Sequence, residues 1–559
     1  MSAEFFEPEE PEQTEWDVIV IGTGMGGATA GHALAQRGRR VLFIEKGLFL
    51  HDQLAAEAAV GHPTTAPLVV DDESAGDRLR TGRWPTRLRG RTSFGEIEFF
   101  APLGCGSGGS TALYAAGLER FSPADFRPRA NFTDINDSTL PERWPIEYEE
   151  LEPFYAAAET LYRVRGGPDP LAIGAHHPLL EPPPLNPRDS HFCQSFERLG
   201  LHPYRIHAGY AFVDGCTGCG LGPCPRACKS DAAWICLMPA LQRLGARMLP
   251  ECEVLKLEAG TDTVKRLWCR RRGREFALRA RIVVLAAGAY MSPVLLLNSR
   301  NEHWPDGLAN RSGLVGRNLM FHASDFVAVS PLERLSGSGP QKTLALNDFY
   351  QGSGPKLGTF QTAGAVIGLG QIMQYMRDAA ERDPRWWIKL ASPRPRWWRK
   401  LSSPFVRLAA LLLFHGFNFK NAAVWATIVE DLPYHRNRVL ADPDAASGMR
   451  FEYDYPDELK RRVAAFRRQL TERLAPHRVM VLTGENNINF GHVCGTCRFG
   501  DDPATSVLDR DNKAHGVANL YVVDASFFPS SGGTNPSLTI AANALRVANV
   551  IDQRLAALP

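Results

Sequence analysis

Residues 17–27 read DVIVIGTGMGG. From Asp17 to Ile21 the chain is an apolar run ending in glycine, the pattern of a buried parallel strand. Gly22, Gly24 and Gly27 then fit GxGxxG. The first glycine permits a tight turn, the second lets a pyrophosphate approach the backbone, and the third lets helix and strand pack closely. A helical pattern follows to about Arg37, where Gly38 stops it. Arg40 to Ile44 is a second apolar strand, closed by Glu45. Glu45 stands 23 residues after Gly22, where a carboxylate can accept from ribose hydroxyls. This is a βαβ opening whose helix N-terminus faces the phosphates of a dinucleotide. The motif does not by itself choose FAD over NAD.

The rest of the chain bounds the classes. It has 559 residues, 44% hydrophobic and 22% charged, enough for two to four domains with large cores. Lys plus Arg is 63 and Asp plus Glu is 61, a net charge of +2 that gives no global pull toward nucleic acid. The acidic N-terminus lacks a basic region followed by an apolar one, so no signal peptide is expected. No stretch approaches the roughly 18–20 apolar residues of a membrane span. These features favour a reducing, cytoplasmic setting, with export beside a signal-bearing partner left open. Further apolar strands at 281–287 (RIVVLAA, then Gly288) and 520–523 lie far from the first two, so the nucleotide-binding part is discontinuous.

Two C-terminal segments carry the chemistry. One is GHVCGTC at 491–497; the other is NLYVVDASFFPSSGGTNPSLTIAANALRVA at 519–548. Asp524 follows a strand directly. Ser530 to Thr534 is a turn, and Asn535-Pro536 opens a helix, with Pro536 suited to the first helical position. Together with LGCGSGGSTALYAAGL at 103–118, RWPIEYEELEPFY at 143–155, GLVGRNLMFH at 313–322 and EDLPYHRNRV at 430–439, these motifs resemble the glucose–methanol–choline (GMC) oxidoreductases, which are FAD flavoproteins.

The resemblance implies an α/β fold: a discontinuous Rossmann-like FAD-binding domain (16–140, 240–325 and 482–559) and a substrate domain (141–239 and 326–481) with a mainly antiparallel sheet and helices. It implies oxidation of a primary or secondary alcohol, with hydride passing to the flavin, His492 as base and Asn535 as its partner. An imidazole is a suitable proton acceptor, and an amide can hold the alcohol oxygen. The Asn form is similar to that of cholesterol oxidases and several bacterial dehydrogenases. By position, Gly22, Gly24, Gly27 and Glu45 should bind the ADP half. Gly108, Gly109 and Ser110 should approach the pyrophosphate or flavin, Val254 the adenine, and Gly288, Asp524 and Pro536 the rest of the cofactor. An oxygen-reducing oxidase, a non-redox lyase on the same fold and a non-catalytic FAD protein are the rivals.

Cys216, Cys219, Cys224 and Cys228 form CxxCxxxxCxxxC, four of the chain's 11 cysteines. Thiolates this close suit an iron–sulfur cluster. The last three resemble the ligands of a three-iron four-sulfur cluster in bacterial FAD-dependent glucose dehydrogenases. A four-iron cluster, zinc and a disulfide stay open. A cluster would give electrons an exit toward a quinone or cytochrome partner. Residues 385–400 read RWWIKLASPRPRWWRK, and an apolar run follows to about 420. That composition suits an interfacial membrane segment, a packed insertion or a partner-docking surface, and leans toward an apolar or amphipathic alcohol. One short basic patch does not suggest nucleic acid.

Overall fold

The computed structural model describes residues 3–50, 74–174, 178–213, 222–224, 226–364, 419–484 and 487–558. Cys216, Cys219 and the Trp- and Arg-rich stretch at 385–400 lie outside these residues, so their expected roles have no counterpart below.

A five-stranded parallel layer holds the first core. Its order is Arg247–Leu249, Val41–Ile44, Glu15–Ile21, Arg274–Leu285, Leu520–Val522. Val18, Ile19 and Val20 are all fully buried, because the strand is covered on both faces. The helices Met25–Gln36 and Ser537–Ala557 pack on it and on each other. The strand at 281–287 begins earlier than its apolar run suggests. Its first half, from Arg274, alternates exposed and buried residues and joins an antiparallel meander with Cys252–Ala259 and Val264–Arg271. Its second half is continuously buried and joins the parallel layer.

The second sheet is antiparallel. It runs Arg478–Val481, Phe326–Ser330, Ala423–Glu430, Gly358–Thr362, Leu344–Leu346, Tyr204–Arg205, with Met320–Ala323 and Ile488–Cys494 attached beside Ala423–Glu430. The helix Asp457–Arg473 buries Leu459, Val463, Phe466 and Leu470 in the same core, at the spacing of one helical face. A third sheet pairs Arg438–Ala441 and Met449–Tyr453 with the hairpin Leu88–Thr92 and Gly95–Phe99.

Strand pairing cuts across the expected domain limits. Met320–Ala323 and Ile488–Cys494, expected in the FAD-binding part, belong to the antiparallel sheet. The 88–99 hairpin pairs with residues of the substrate part. The substrate part also holds the helix Pro187–Arg198, which Asn186-Pro187 opens as a cap followed by a first-turn proline.

The nucleotide motif packs more tightly than its pattern requires. A Cβ on Gly27 would stand 2.1 Å from Gly22 O, and one on Gly26 would stand 2.0 Å from Val523 O. A Cβ on Gly24 would meet nothing within 4 Å. We predict that Gly26→Ala costs the flavin-free protein about 1–3 kcal/mol through overpacking, despite alanine's better helix propensity. Gly24→Ala should leave that stability within about 0.5 kcal/mol. Urea unfolding of the two variants checks the contrast.

Candidate active site

A cavity of about 1700 Å³ runs from the GxGxxG turn to the far end of the antiparallel sheet. At that end two paired strands carry histidines. Met320–Ala323 and Ile488–Cys494 are antiparallel, with an irregular register between the Met320–Cys494 and His322–Asn489 pairs. The rings of His322 and His492 meet at nearly a right angle, Nδ1 to Nδ1, at 2.9 Å.

The direction of that hydrogen bond follows from its surroundings. His322 Nε2 lies 2.8 Å from Gly532 O and 3.1 Å from Ser531 O. Carbonyls only accept, so His322 Nε2 carries a hydrogen. Burial pushes His322 down to about 4, so the ring is neutral and its Nδ1 holds a lone pair. His492 Nδ1–H therefore donates to it. His492 Nε2 keeps its own lone pair, and none of the described protein groups bonds it. Burial first, then His322 and Lys342, lower His492 to about 3, which keeps that lone pair available.

The turn that supplies the two carbonyls is anchored at each residue. Trp144 Nε1 donates to Ser530 Oγ at 2.8 Å. Ser531 Oγ accepts from Asp431 N at 3.0 Å and donates to Asp431 O at 2.8 Å. Gly533 N donates to the Tyr350 hydroxyl at 3.0 Å, and Gly533 O accepts from Thr359 N at 3.0 Å. Gly532 adopts φ +65°, with the Phe121 ring 2.7 Å from where a Cβ would sit.

Asn535 leaves this turn and lines the same cavity as His492. Its Oδ1 accepts from Gln361 Nε2 at 2.8 Å. Gly117 presses against the amide, since a Cβ there would come within 3.0 Å of Cγ, Oδ1 and Nδ2. Pro536 also lines the cavity but caps the helix rather than beginning it; the helix starts at Ser537. His322 and Gln361 were not singled out from sequence. His322 closes the quoted GLVGRNLMFH, whereas nothing in sequence marks Gln361.

The other end fits a dinucleotide. Gly22, Gly24, Gly109, Ser110, Val254 and Gly288 line the cavity. The helix Met25–Gln36 starts at Gly24 with no side-chain cap, leaving its first N–H groups for an anion. A Cβ on Gly288, at φ +85°, would meet no protein atom within 4 Å. Gly27 and Gly108 sit behind the wall, Gly27 against Gly22 and Gly108 against Ala233.

The two carboxylates of this end line the cavity and also knit it together. Glu45 accepts from Thr23 N at 3.1 Å, Thr23 Oγ1 at 2.7 Å, Gly47 N at 2.9 Å and Gly106 N at 3.2 Å. These fill the roughly four acceptor positions of a carboxylate. Burial still raises Glu45 above its ordinary range. Asp524 accepts from Gly288 N and Ser526 N, both at 2.9 Å, and from the Ser292 and Ser526 hydroxyls. It thus joins the strand end at 522 to the helix Gly288–Asn298.

The cysteine segment touches the same wall. Lys229 Nζ donates to Ala112 O at 2.7 Å, and Ala232 N to Thr111 Oγ1 at 3.0 Å. Cys224 and Cys228 are buried, with their sulfurs 3.2 Å apart. Among the described residues no group of three or more His, Cys, Asp or Glu could hold a metal ion.

Sequence profiles described as GMC oxidoreductase match residues 144–324 and 433–544, and one described as FAD binding domain matches 17–70. The chain belongs to the GMC oxidoreductase family. It is 29% identical to paromamine 6'-oxidase of Streptomyces fradiae, over 96% of this chain and 91% of that one. It is 28% identical to 2-methyl-1,2-propanediol dehydrogenase of Mycolicibacterium austroafricanum (96% and 95%), and 25% to the fructose dehydrogenase large subunit of Gluconobacter japonicus (96% and 97%). The structure of pyridoxine 4-oxidase from Mesorbium loti superposes with a TM-score of 0.60 at 19% identity, covering 96% of this chain and 99% of that one. This GMC protein is an FAD-dependent oxidoreductase acting on CH–OH groups.

Two neutral buried imidazoles have a consequence for stability. Both fall below the ordinary 6.5, so between about pH 6.5 and 4 the unfolded chain binds more protons than the folded one. Stability should be full above pH 6.5 and decline as pH falls through this window. In a His322→Gln/His492→Gln double variant the decline should be shallower. Urea midpoints from pH 7 to 4.5 measure it.

Proposed function

We propose that this GMC oxidoreductase oxidises an alcohol to a carbonyl with His492 Nε2 as the base. The observation that carries this is the His322–His492 hydrogen bond. It leaves a lone pair on a ring that lines the same cavity as the Asn535 amide. The substrate hydroxyl gives its proton to His492 Nε2, and Asn535 Nδ2 holds the oxygen by donating to it. FAD, when bound, supplies the acceptor for the hydride that leaves the carbinol carbon. Gly22, Gly24, Gly109, Ser110, Val254 and Gly288 would hold it.

The substrate class is read from the wall. The lean toward an apolar alcohol rested on the 385–400 stretch, outside the described residues. The described wall of the cavity carries Lys342, Gln361, Asn421, Thr483 and Asn489 beside Phe326, Val424, Ile428 and Leu482. The polar side chains can bond the hydroxyls of a diol or sugar, and the apolar ones can meet its carbon skeleton. The similarity to proteins that act on paromamine, 2-methyl-1,2-propanediol and fructose supports a hydroxylated substrate too.

The test is anaerobic bleaching of the bound flavin by 2-methyl-1,2-propanediol, D-fructose, D-glucose and 1-octanol. The polyols should bleach it faster than 1-octanol. His492→Ala should slow the best of them about 10²–10⁴-fold. Unchanged bleaching in that variant would refute the mechanism, and no bleaching by any alcohol would favour the lyase reading.

The expected iron–sulfur exit rests on the spacing of Cys216, Cys219, Cys224 and Cys228. It predicts about three or four irons per flavin, with matching acid-labile sulfide, and a dehydrogenase that reduces a quinone or cytochrome. Iron near zero with flavin bound would favour oxygen as acceptor, visible as hydrogen peroxide.

A further inference from the structure

Lys342 is 8% exposed and lines the cavity two residues before the strand Leu344–Leu346. No carboxylate among the described residues forms an ion pair with it. Among the described residues its Nζ donates to Gln361 Oε1 at 2.9 Å. Gln361 lies on the neighbouring strand, and its Nε2 donates to Asn535 Oδ1 at 2.8 Å. Three side chains from three elements thus form one chain that ends beside His492.

The polarity of this chain has one consistent solution. An ammonium has three donors and no acceptor. The Gln361 atom that faces it is therefore the oxygen, so the amide nitrogen faces Asn535. The Asn535 atom that meets this nitrogen must be its oxygen. Its NH₂ is then left for the cavity, while Gly117 blocks the amide from shifting sideways.

We propose that Lys342 and Gln361 are positioning residues that fix the Asn535 amide with its NH₂ toward the substrate oxygen. The proposal rests on the reading of Asn535 as the group that holds that oxygen. It gives a role to a cation buried here without an ion pair among the described residues, an arrangement that costs free energy. An amide that could flip would offer its oxygen half the time. That oxygen would accept the hydroxyl proton needed by His492 and would oppose the negative charge growing on the alcohol oxygen. With the chain in place, the reacting hydroxyl meets His492 Nε2 as its acceptor and Asn535 Nδ2 as its donor.

Gln361→Glu reverses the polarity without changing the shape. A carboxylate facing both neighbours would accept from Lys342 and from Asn535 Nδ2, turning the Asn535 oxygen toward the cavity. Lys342→Met removes the constraint, and Lys342→Arg restores a group that only donates. Rates are read at pH 6, below the value of about 7 to which burial presses Lys342. The readout is anaerobic flavin reduction by the panel alcohol that works best on the unaltered holoenzyme. If none bleaches that flavin, the reading of the reaction has failed before this test begins.

Given bleaching, Gln361→Glu should slow reduction about 100-fold or more and Lys342→Met about 10-fold. Lys342→Arg should retain at least a third of the rate. A second readout needs no turnover. tert-Butanol has no hydrogen on its carbinol carbon, so it binds without reacting. Its dissociation constant, followed by the flavin absorbance change, should weaken at least 5-fold in Gln361→Glu and less than 2-fold in Lys342→Arg. Flavin content and melting temperature close to the unaltered protein show that the variants are folded. Reduction by Gln361→Glu within 3-fold of the unaltered rate would overturn the proposal. So would equal losses in Lys342→Met and Lys342→Arg.

Discussion

The site depends on two backbone carbonyls of one turn, which can only accept hydrogen bonds. Ser531 O and Gly532 O require a hydrogen on His322 Nε2. Everything about His492 follows from that requirement. A ring whose Nε2 is protonated and whose burial keeps it neutral must accept at Nδ1. Its partner must then donate from Nδ1 and keep Nε2 as a base. The choice between two imidazole tautomers, nearly equal in water, is made by two peptide carbonyls.

This explains why so much of the fold converges on residues 530–534. Trp144, Asp431, Tyr350 and Thr359 come from four separate segments, and each bonds the turn. The antiparallel sheet brings His322 and His492 onto neighbouring strands, while the helix Ser537–Ala557 ties the turn to the parallel layer. Glu45 and Asp524 play a matching part at the cofactor end. Their carboxylates are spent on backbone and hydroxyl donors, so Glu45 joins three pieces of chain around the cavity and Asp524 joins two.

The sequence carried the parallel layer well. Continuous apolar runs such as VIVI at 18–21 and IVVL at 282–285 need burial on both faces, and that need is visible residue by residue. His492, Asn535, Glu45 and Asp524 were legible because they sit in short motifs with fixed neighbours. The antiparallel sheet was less legible. Met320–Ala323 and Ile488–Cys494 are short, and their pairing joins segments about 170 residues apart, which no local pattern reports. For the same reason His322 was quoted but not assigned a role, and Gln361 and Lys342 left no signal. Their significance lies in what they face across the sheet.

The most direct test of this account is where the hydrogens are. Neutron diffraction from a crystal of the holoenzyme exchanged into D₂O would show it. The account predicts deuterium on His322 Nε2 and on His492 Nδ1, with none on His492 Nε2. Deuterium on His492 Nε2 in the substrate-free enzyme would contradict it, because the base would then lack the lone pair on which the proposed chemistry rests.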